Sequence, residues 1–521
     1  MKKLRIGVIL SGVNAPVWVA RMLERIRDSS HAKIIVLAFI GSNSTPREVF
    51  ANRHSELHLQ QDQAIFRPDS NPWEQLDIRN VLLSVPQLQA DPSKWNFVLK
   101  FADLDLFINL SQDRIPESLL NAARYGIWSL CSNDKRITTS TAIGWLKLQD
   151  DKPLIHCVVE AQRGASVQVV ARSVMTANGL SITHNQKSFL WSAASLIPHA
   201  IKQLHLNGEE KFFAYAEFVE SGTKISKPGT DQIVNLALQQ FVGEFKNKVW
   251  KRGAEDRRIL MAGIRSSEDP LRWDKLKPIV PPAGAFWANP FIVHKDSKTY
   301  IFFEEFVHRT RLGRISYVEI EQDGTISQSR AVLEKPDHLS HPFIFEYRGE
   351  FYMIPETAQH RAIDMYRCTG FPDQWEHHKT IMRDLRLADA TLIEHDGLWW
   401  MFVNIEGEGS LTWEELHLFY ANDPLSDDWT PHPMNPIVSD VRSARPAGRI
   451  FSRDGELIRP FQESSMRHGY ALNMNRITKL TTNEYDEELL ERFEPPEEGD
   501  ILAVHTHTFS GNLTVVDAML K

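Results

Sequence analysis

The sequence predicts a multidomain chain in which an α/β half is followed by an all-β propeller of five blades. One observation is a change of hydrophobic period. Up to about residue 205, continuous apolar runs alternate with segments that are apolar every third or fourth residue, and beyond residue 260 the helical period nearly vanishes. The other is an internal repeat in the second half: a polar residue opens an apolar strand, a short turn follows, and a second apolar strand returns. At 521 residues the chain is too long for one core. It divides into an α/β domain over 1–205, a connecting helical segment over 206–265 and a propeller over 266–521.

In chain order, "LRIGVIL" is a buried strand. The next segment, "SGVNAPVWVARMLERIRD", sets Val17, Val19, Met22, Leu23 and Ile26 on one helical face. "AKIIVLAFIG" is a second buried strand, and "LDLFINLS", "RIPESLLNAARY" and "GIWSLC" read as strand, helix and strand. Buried strands alternating with amphipathic helices predict a parallel sheet covered on both faces. The loop after the first strand has one glycine and no dinucleotide fingerprint. A helix over "NQKSFLWSAASLIPHAIKQLHLNG" closes this half, and another over "TDQIVNLALQQFVGEFKNKVWKRG" bridges to the rest.

The repeats open at Asn289, His341, Asp389 and Pro446, with a degenerate fifth near His505. Their turns are "KDSK", "YRGE", "HDGL" and "RDGE". A period of roughly fifty residues per four-stranded unit is that of a propeller, whose first strands line a central channel.

Composition narrows the function classes. A net charge of −8 gives no basic footprint for nucleic acid, and no segment has the apolar length of a membrane span. Cys131, Cys157 and Cys368 have no metal-binding or disulfide spacing, and "MKKLRIGVILSGVNAPVW" reads as a first strand rather than a signal peptide. A soluble cytoplasmic protein is expected. The acidic run "EYDEELLERFEPPEEGD" reads as a solvated face. The sequence names no cofactor and leaves the oligomeric state open.

Two resemblances add to this. The stretch "LDLFINLSQDRIPESLLNAARYGIWSLCSND", with "SAASLIPHAIKQL" in the closing helix, resembles the Rossmann-type formyltransferase fold. That family ends the strand in Asn-x-His with an Asp further on; Ser129 and Cys131 stand at the matching positions, and only Asp150 and Asp151 follow. The resemblance therefore implies a retained fold whose active site has been lost, since no imidazole remains to move a proton near neutrality. Nearby Lys135 and Arg136 leave a nucleophilic Cys131 as a minor alternative.

The second half resembles the propeller of family-43 glycoside hydrolases. It is more similar to the propeller-like N-terminal domain of plant glucosamine inositolphosphorylceramide transferases, through "WANPF", "HLSHPFIFEYRGEFYMIPET", "DATLIEHDGLWWMF", "SARPAGRIF" and "HTHT". The pairing of halves implies a role in bacterial surface-polysaccharide biosynthesis, with a saccharide or nucleotide-sugar ligand in the channel.

By that resemblance three channel carboxylates are expected, and hydrolysis needs at least two. Asn289 stands in place of the first and cannot accept a proton near neutral pH. Asp389 and Glu356 are the acid/base candidates, and Glu304 and Glu305 are the nearby substitutes for the missing base. Asn289, His341, Arg445, His505, Glu305 and Trp287 are the candidate ligand contacts, with Arg445 also a possible ion-pair partner for Glu356. Trp287, Trp399 and Trp400 are read as exposed rings able to stack on sugar. No dedicated metal site is indicated. Three functions are set side by side: glycosyl transfer or hydrolysis in the propeller, sugar N-formyl transfer from a folate donor, and non-catalytic glycan binding.

Overall fold

The structure is a computed structural model that describes residues 2–40, 71–89, 103–111, 115, 119–132, 135–136, 154–178, 181–214, 217–218, 257–266, 268–321, 324–357, 360–407, 411–467 and 469–521. The segment 230–253 expected to bridge the halves, Asp150, Asp151 and most of the loop after Cys131 lie outside these residues. The chain forms two compact units. One comprises 1–252 with 408–410, and the other comprises 253–407 with 411–521.

The first unit holds a nine-stranded sheet. Leu4–Leu10 lies at its centre, parallel to Ala32–Phe39 on one side and Leu106–Asn109 on the other. Ile127–Ser132 continues the parallel part, but Leu154–Arg163, Ser166–Thr176 and Glu217–Phe218 join antiparallel. The sheet is thus mixed rather than wholly parallel. The reason is local: Gly164, at φ 60°, and Ala165 close a two-residue turn, which only an antiparallel pair accommodates.

Helix Val17–Arg27 buries Trp18, Val19, Met22, Leu23 and Ile26 against this sheet. The helix Ile182–Ala214 is interrupted at Gly208, where φ reaches 73°. Pro198 lies inside it and has no N–H for the carbonyl of Ala194. Arg25 donates to that carbonyl instead, at 3.3 Å. Among the described residues no helix is long and apolar enough to cross a membrane.

The second unit is a five-bladed propeller. Blades one to three are four-stranded antiparallel sheets that begin at Ala285–Lys295, Ser340–Tyr347 and Leu387–His395. Blade four begins with the short strands Arg445–Pro446 and Phe451–Arg453. Blade five draws on both ends of this unit: Ile501–Ala503, His507–Ser510 and Leu513–Leu520 pair with Arg257–Ile264 and Lys277–Ile279. Arg257–Ile264, within the span read as a helical connection, is therefore a strand that closes the ring. Closure packs blade five against blades four and one, so neither of its faces is left open.

Neighbouring blades bury their faces against each other. Phe291, Phe302, Phe343 and Met401 belong to the apolar core that runs through blades one to three, and Trp400, Phe402 and Leu418 to the core between blades three and four. Each large side chain buried this way contributes about 1.5–3 kcal/mol. The turns after the first strands have positive φ at both central residues: Asp296–Ser297, Arg348–Gly349, Asp396–Gly397 and Asp454–Gly455. These are tight hairpins whose twist matches that of the strands.

Gly448 adopts φ 129° beside the backbone of His507, and a Cβ there would overlap the His507 carbonyl oxygen. Gly448→Ala is expected to cost more than about 3 kcal/mol, read as a lower urea midpoint with an unchanged slope.

Candidate functional site

The three opening residues share one backbone device. In blade one the register runs Ala288 to Glu304 and then Phe291 to Phe302, so Asn289 and Pro290 face a single partner residue. The same bulge places His341–Pro342 and Asp389–Ala390 opposite one residue each. Asn289, His341 and Asp389 are all left-handed, with φ of 53°, 42° and 54°. Such a conformation costs an L-residue roughly 1–2 kcal/mol, least for Asn and Asp. A bulge of this kind re-aims one side chain out of the strand's alternation. In blade four the gap in register spans residues 447–450, and Arg445 precedes it.

A second set of polar residues occupies one register position on the second strands. Glu304 pairs with Ala288, Glu356 with Ser340, Asn404 with Ala388 and Gln462 with Arg445. Asp517 lies on the corresponding strand of blade five.

Arg445 joins Asp389 and Glu356. Its Nε donates to Asp389 Oδ2 at 2.5 Å and its Nη2 to Glu356 Oε2 at 3.3 Å. Burial drives the Glu356 carboxyl well above the usual carboxylate range, and the charge of Asp389 drives it further. Burial would raise Asp389 too, but Arg445 and His341 more than reverse this and keep it ionised well below the usual carboxylate range. Gln462 Nε2 lies 3.5 Å from the same Asp389 oxygen. His341 Nδ1 is 3.4 Å from Asp389 Oδ1, and burial pushes that imidazole down to about 4, so it is neutral.

Across the ring, Asn289 Nδ2 donates to Glu304 Oε2 at 2.8 Å. Burial lifts Glu304 to about 7, against the pull of Arg258 and of Asn289. Asp517 is a hub: it accepts from the backbone N–H of Asn289, His505 and Thr506, from the Thr506 hydroxyl, and pairs with His505 Nδ1 at 2.7 Å. Arg258 Nη1 sits 2.9 Å from His505 Nε2. Glu304, Glu356, Asp389 and Arg445 lie within electrostatic reach of one another. Among the described residues no group of three or more His, Cys, Asp or Glu side chains is arranged to hold a metal ion.

Asn289, His341, Asp389, Glu356, Arg445 and His505 therefore all fall within one polar network. Two expected members do not. Glu305 faces the other side of its strand, as alternation with Glu304 requires. It accepts from Trp287 Nε1, Arg314 Nε, Ser316 Oγ and Ser329 Oγ. Trp287 is 4% exposed and packs on Phe303 with ring centroids 4.4 Å apart, so it is a core side chain rather than a sugar platform. Trp399 and Trp400 are likewise buried, because the sheet is covered on both faces. Sequence reasoning missed Asp517 and Arg258. For Asp517 the signal was present, as a lone acid within "LTVVDAML".

Two consequences can be measured. Glu304 has its folded value raised above the unfolded one, so the unfolded chain loses its proton first and stability falls as pH rises from about 4.5 to about 7. Glu304→Gln is expected to raise the melting temperature at pH 8, by an amount equivalent to about 3 kcal/mol at most, and to leave it unchanged at pH 4. Arg445→Met, which strands a buried carboxylate, is expected to cost about 3–5 kcal/mol at pH 8, with part of this recovered at acid pH as Asp389 protonates.

Residues 279–499 match the family model described as glucosamine inositolphosphorylceramide transferase 1, N-terminal. Glucosamine inositolphosphorylceramide transferase 1 of Oryza sativa subsp. japonica is 34% identical over 235 residues, covering 43% of this chain and 31% of that protein. The Arabidopsis thaliana protein of the same name is 34% identical over 206 residues, covering 39% and 27%. The chain thus spans about a third of the length of the curated relatives it matches. Among solved structures, the catalytic domain of a Coprinopsis cinerea GH62 α-L-arabinofuranosidase aligns with 50% of this chain and 97% of its own, at 10% identity and a TM-score of 0.36. A Cellvibrio cellulosa α-L-arabinanase complexed with arabinohexaose aligns with 44% and 86%, at 17% identity and a TM-score of 0.33. Likenesses at such scores carry no argument about fold or function.

Proposed function

We propose that the propeller binds a saccharide, or the sugar end of a nucleotide sugar, against the polar network of its channel, and that its chemistry is glycosyl transfer rather than hydrolysis. The observation that carries this is the Asp389–Glu356–Arg445 set. Retaining glycosidases hold their two carboxyl groups about 5–5.5 Å apart and inverting ones about 6.5–9.5 Å. Two carboxyls engaged by one guanidinium are not free to flank a glycosidic bond as those pairs do.

Glu304 supplies what transfer needs. A carboxyl poised near 7 takes a proton from an acceptor hydroxyl at neutral pH. The hydroxyl oxygen then bonds to the anomeric carbon, and the leaving group departs with the electron pair of the broken bond. The similarity to plant transferases named for glucosamine inositolphosphorylceramide supports a glycosyl donor, although it covers a minority of both chains. The proposal extends to a cytoplasmic protein of surface-polysaccharide biosynthesis.

A second reading, binding without turnover, is favoured by the neutralisation of Asp389 by Arg445. Formyl transfer in the first unit has little to carry it: Ser129 and Cys131 replace the expected pair, and Cys131 is buried.

The test is calorimetric titration of the full chain with a panel of oligosaccharides and nucleotide sugars, followed by product analysis by NMR. Asp389→Asn is expected to weaken binding at least tenfold, and Glu304→Gln to remove transfer while keeping binding. Binding without any new glycosidic bond supports the second reading. Release of free reducing sugar as the main product, or affinity unchanged in Asp389→Asn, defeats the proposal.

A further inference from the structure

A separate cluster of donors lies where blades four and five meet. His507 is fully buried, and its Nε2 lies 3.3 Å from Arg265 Nη2 and 2.8 Å from Thr514 Oγ1. A guanidinium only donates, so Nε2 accepts and the imidazole proton sits on Nδ1. That Nδ1–H is buried with no hydrogen-bond partner among the described residues, and so are Arg265 Nε and both Nε and Nη2 of Arg453. Arg265 is 8% exposed. The nearest carboxylate to Arg453, Glu491 Oε2, stands 3.6 Å away, past hydrogen-bonding distance, while Glu491 Oε1 accepts from the Leu271 N–H at 2.7 Å.

Two phenylalanines hold these groups together. Phe451 and Phe509 pack with centroids 5.5 Å apart. Arg265 lies 5.1 Å over Phe509, Arg453 lies 5.9 Å over Phe451, and the His507 ring is 5.8 Å from Phe451. Three side chains thus offer four unmet N–H groups, two of the three side chains are cations, and the carboxylates in electrostatic reach are the part-exposed Glu491 and the exposed Asp269. Each unmet buried donor costs about 1–3 kcal/mol. A water would satisfy only part of this donor set, whereas an oxyanion presents acceptors to several donors at once and makes charge-assisted bonds with the guanidinium groups. Arg265 lies just past the end of the strand Arg257–Ile264, opposite the end that carries the channel residue Arg258, and among the described residues the cluster shares no hydrogen-bond partner with the channel network.

We propose that Arg265, Arg453 and His507 form a binding site for a small tetrahedral oxyanion of the phosphate or sulfate class, distinct from the channel. Donors from three side chains suit an oxygen set that presents acceptors in several directions.

The test uses the full chain, with inorganic phosphate replacing chloride at fixed pH and ionic strength. Phosphate is expected to raise the melting temperature saturably and to broaden the phosphorus NMR signal. Sulfate is expected to act likewise, and acetate not. Arg453→Gln, at a part-exposed hairpin end, is expected to weaken the effect at least tenfold with an unchanged circular dichroism spectrum, and Arg453→Lys to weaken it less. No phosphate-specific shift in the wild-type chain, or a shift that survives Arg453→Gln, would overturn the site. None of these outcomes depends on whether the channel binds sugar.

Discussion

The guanidinium of Arg445 is the tie on which the channel depends. Asp389 is almost wholly buried, and a carboxylate there is tolerable only with a cation in contact. Arg445 comes from the start of blade four and reaches Asp389 of blade three and Glu356 of blade two, so one side chain fixes three blades around the axis. Asp517 does the corresponding work on the other side. It gathers His505 and Thr506 of blade five and the Asn289 backbone of blade one. Between them, two charged side chains pin every blade to the network.

The same ties explain why the strained residues persist. Asn289, His341 and Asp389 hold left-handed backbone within buried strands, a conformation whose cost is met by surrounding contacts. A straight strand would send each side chain into a blade-to-blade layer of apolar rings. The bulge turns it toward the axis, where Glu304, Asp389 or Arg445 becomes its neighbour. His341 shows how closely this is built: its ring meets Phe291 edge-on at 5.1 Å while its Nδ1 faces Asp389.

Much of the propeller was legible because its repeat is local. An opening polar residue stands seven positions before a turn of positive φ, and both features follow from short-range backbone chemistry visible in "NPFIVHKDSK", "HPFIFEYRGE" and "DATLIEHDGL". What escaped was non-local. The fifth repeat looked degenerate because half of that blade is made from Arg257–Ile264 and Lys277–Ile279. Glu304 and Glu305 were not separable by pattern, since a shift of one residue flips the face and both neighbours are buried. The tryptophans were misread for a related reason. In a propeller each sheet is covered by a blade on either side, so Trp399 and Trp400 face opposite ways and both lie in the core. In the first unit the hairpin at Gly164 carried a turn signal, but nothing in the apolar runs fixed the direction of the strands that it joins.

The charge pattern of the channel follows from this construction. A ring of five blades can bring many ionisable groups to one axis, but burial forbids most of them from being charged together. The outcome is a division of states: Asp389 and Asp517 ionised beside their partners, Glu356 pushed upward, His341 neutral, and Glu304 lifted by burial to about 7 against the hydrogen bond that Asn289 donates to it. Asn289 tempers that rise without adding a charge of its own. An acid in its place would set another negative charge beside Glu304 and push one proton or the other out of the neutral range. The amide that disqualifies the blade-one position as a base is the same group that leaves its neighbour on the second strand free to become one.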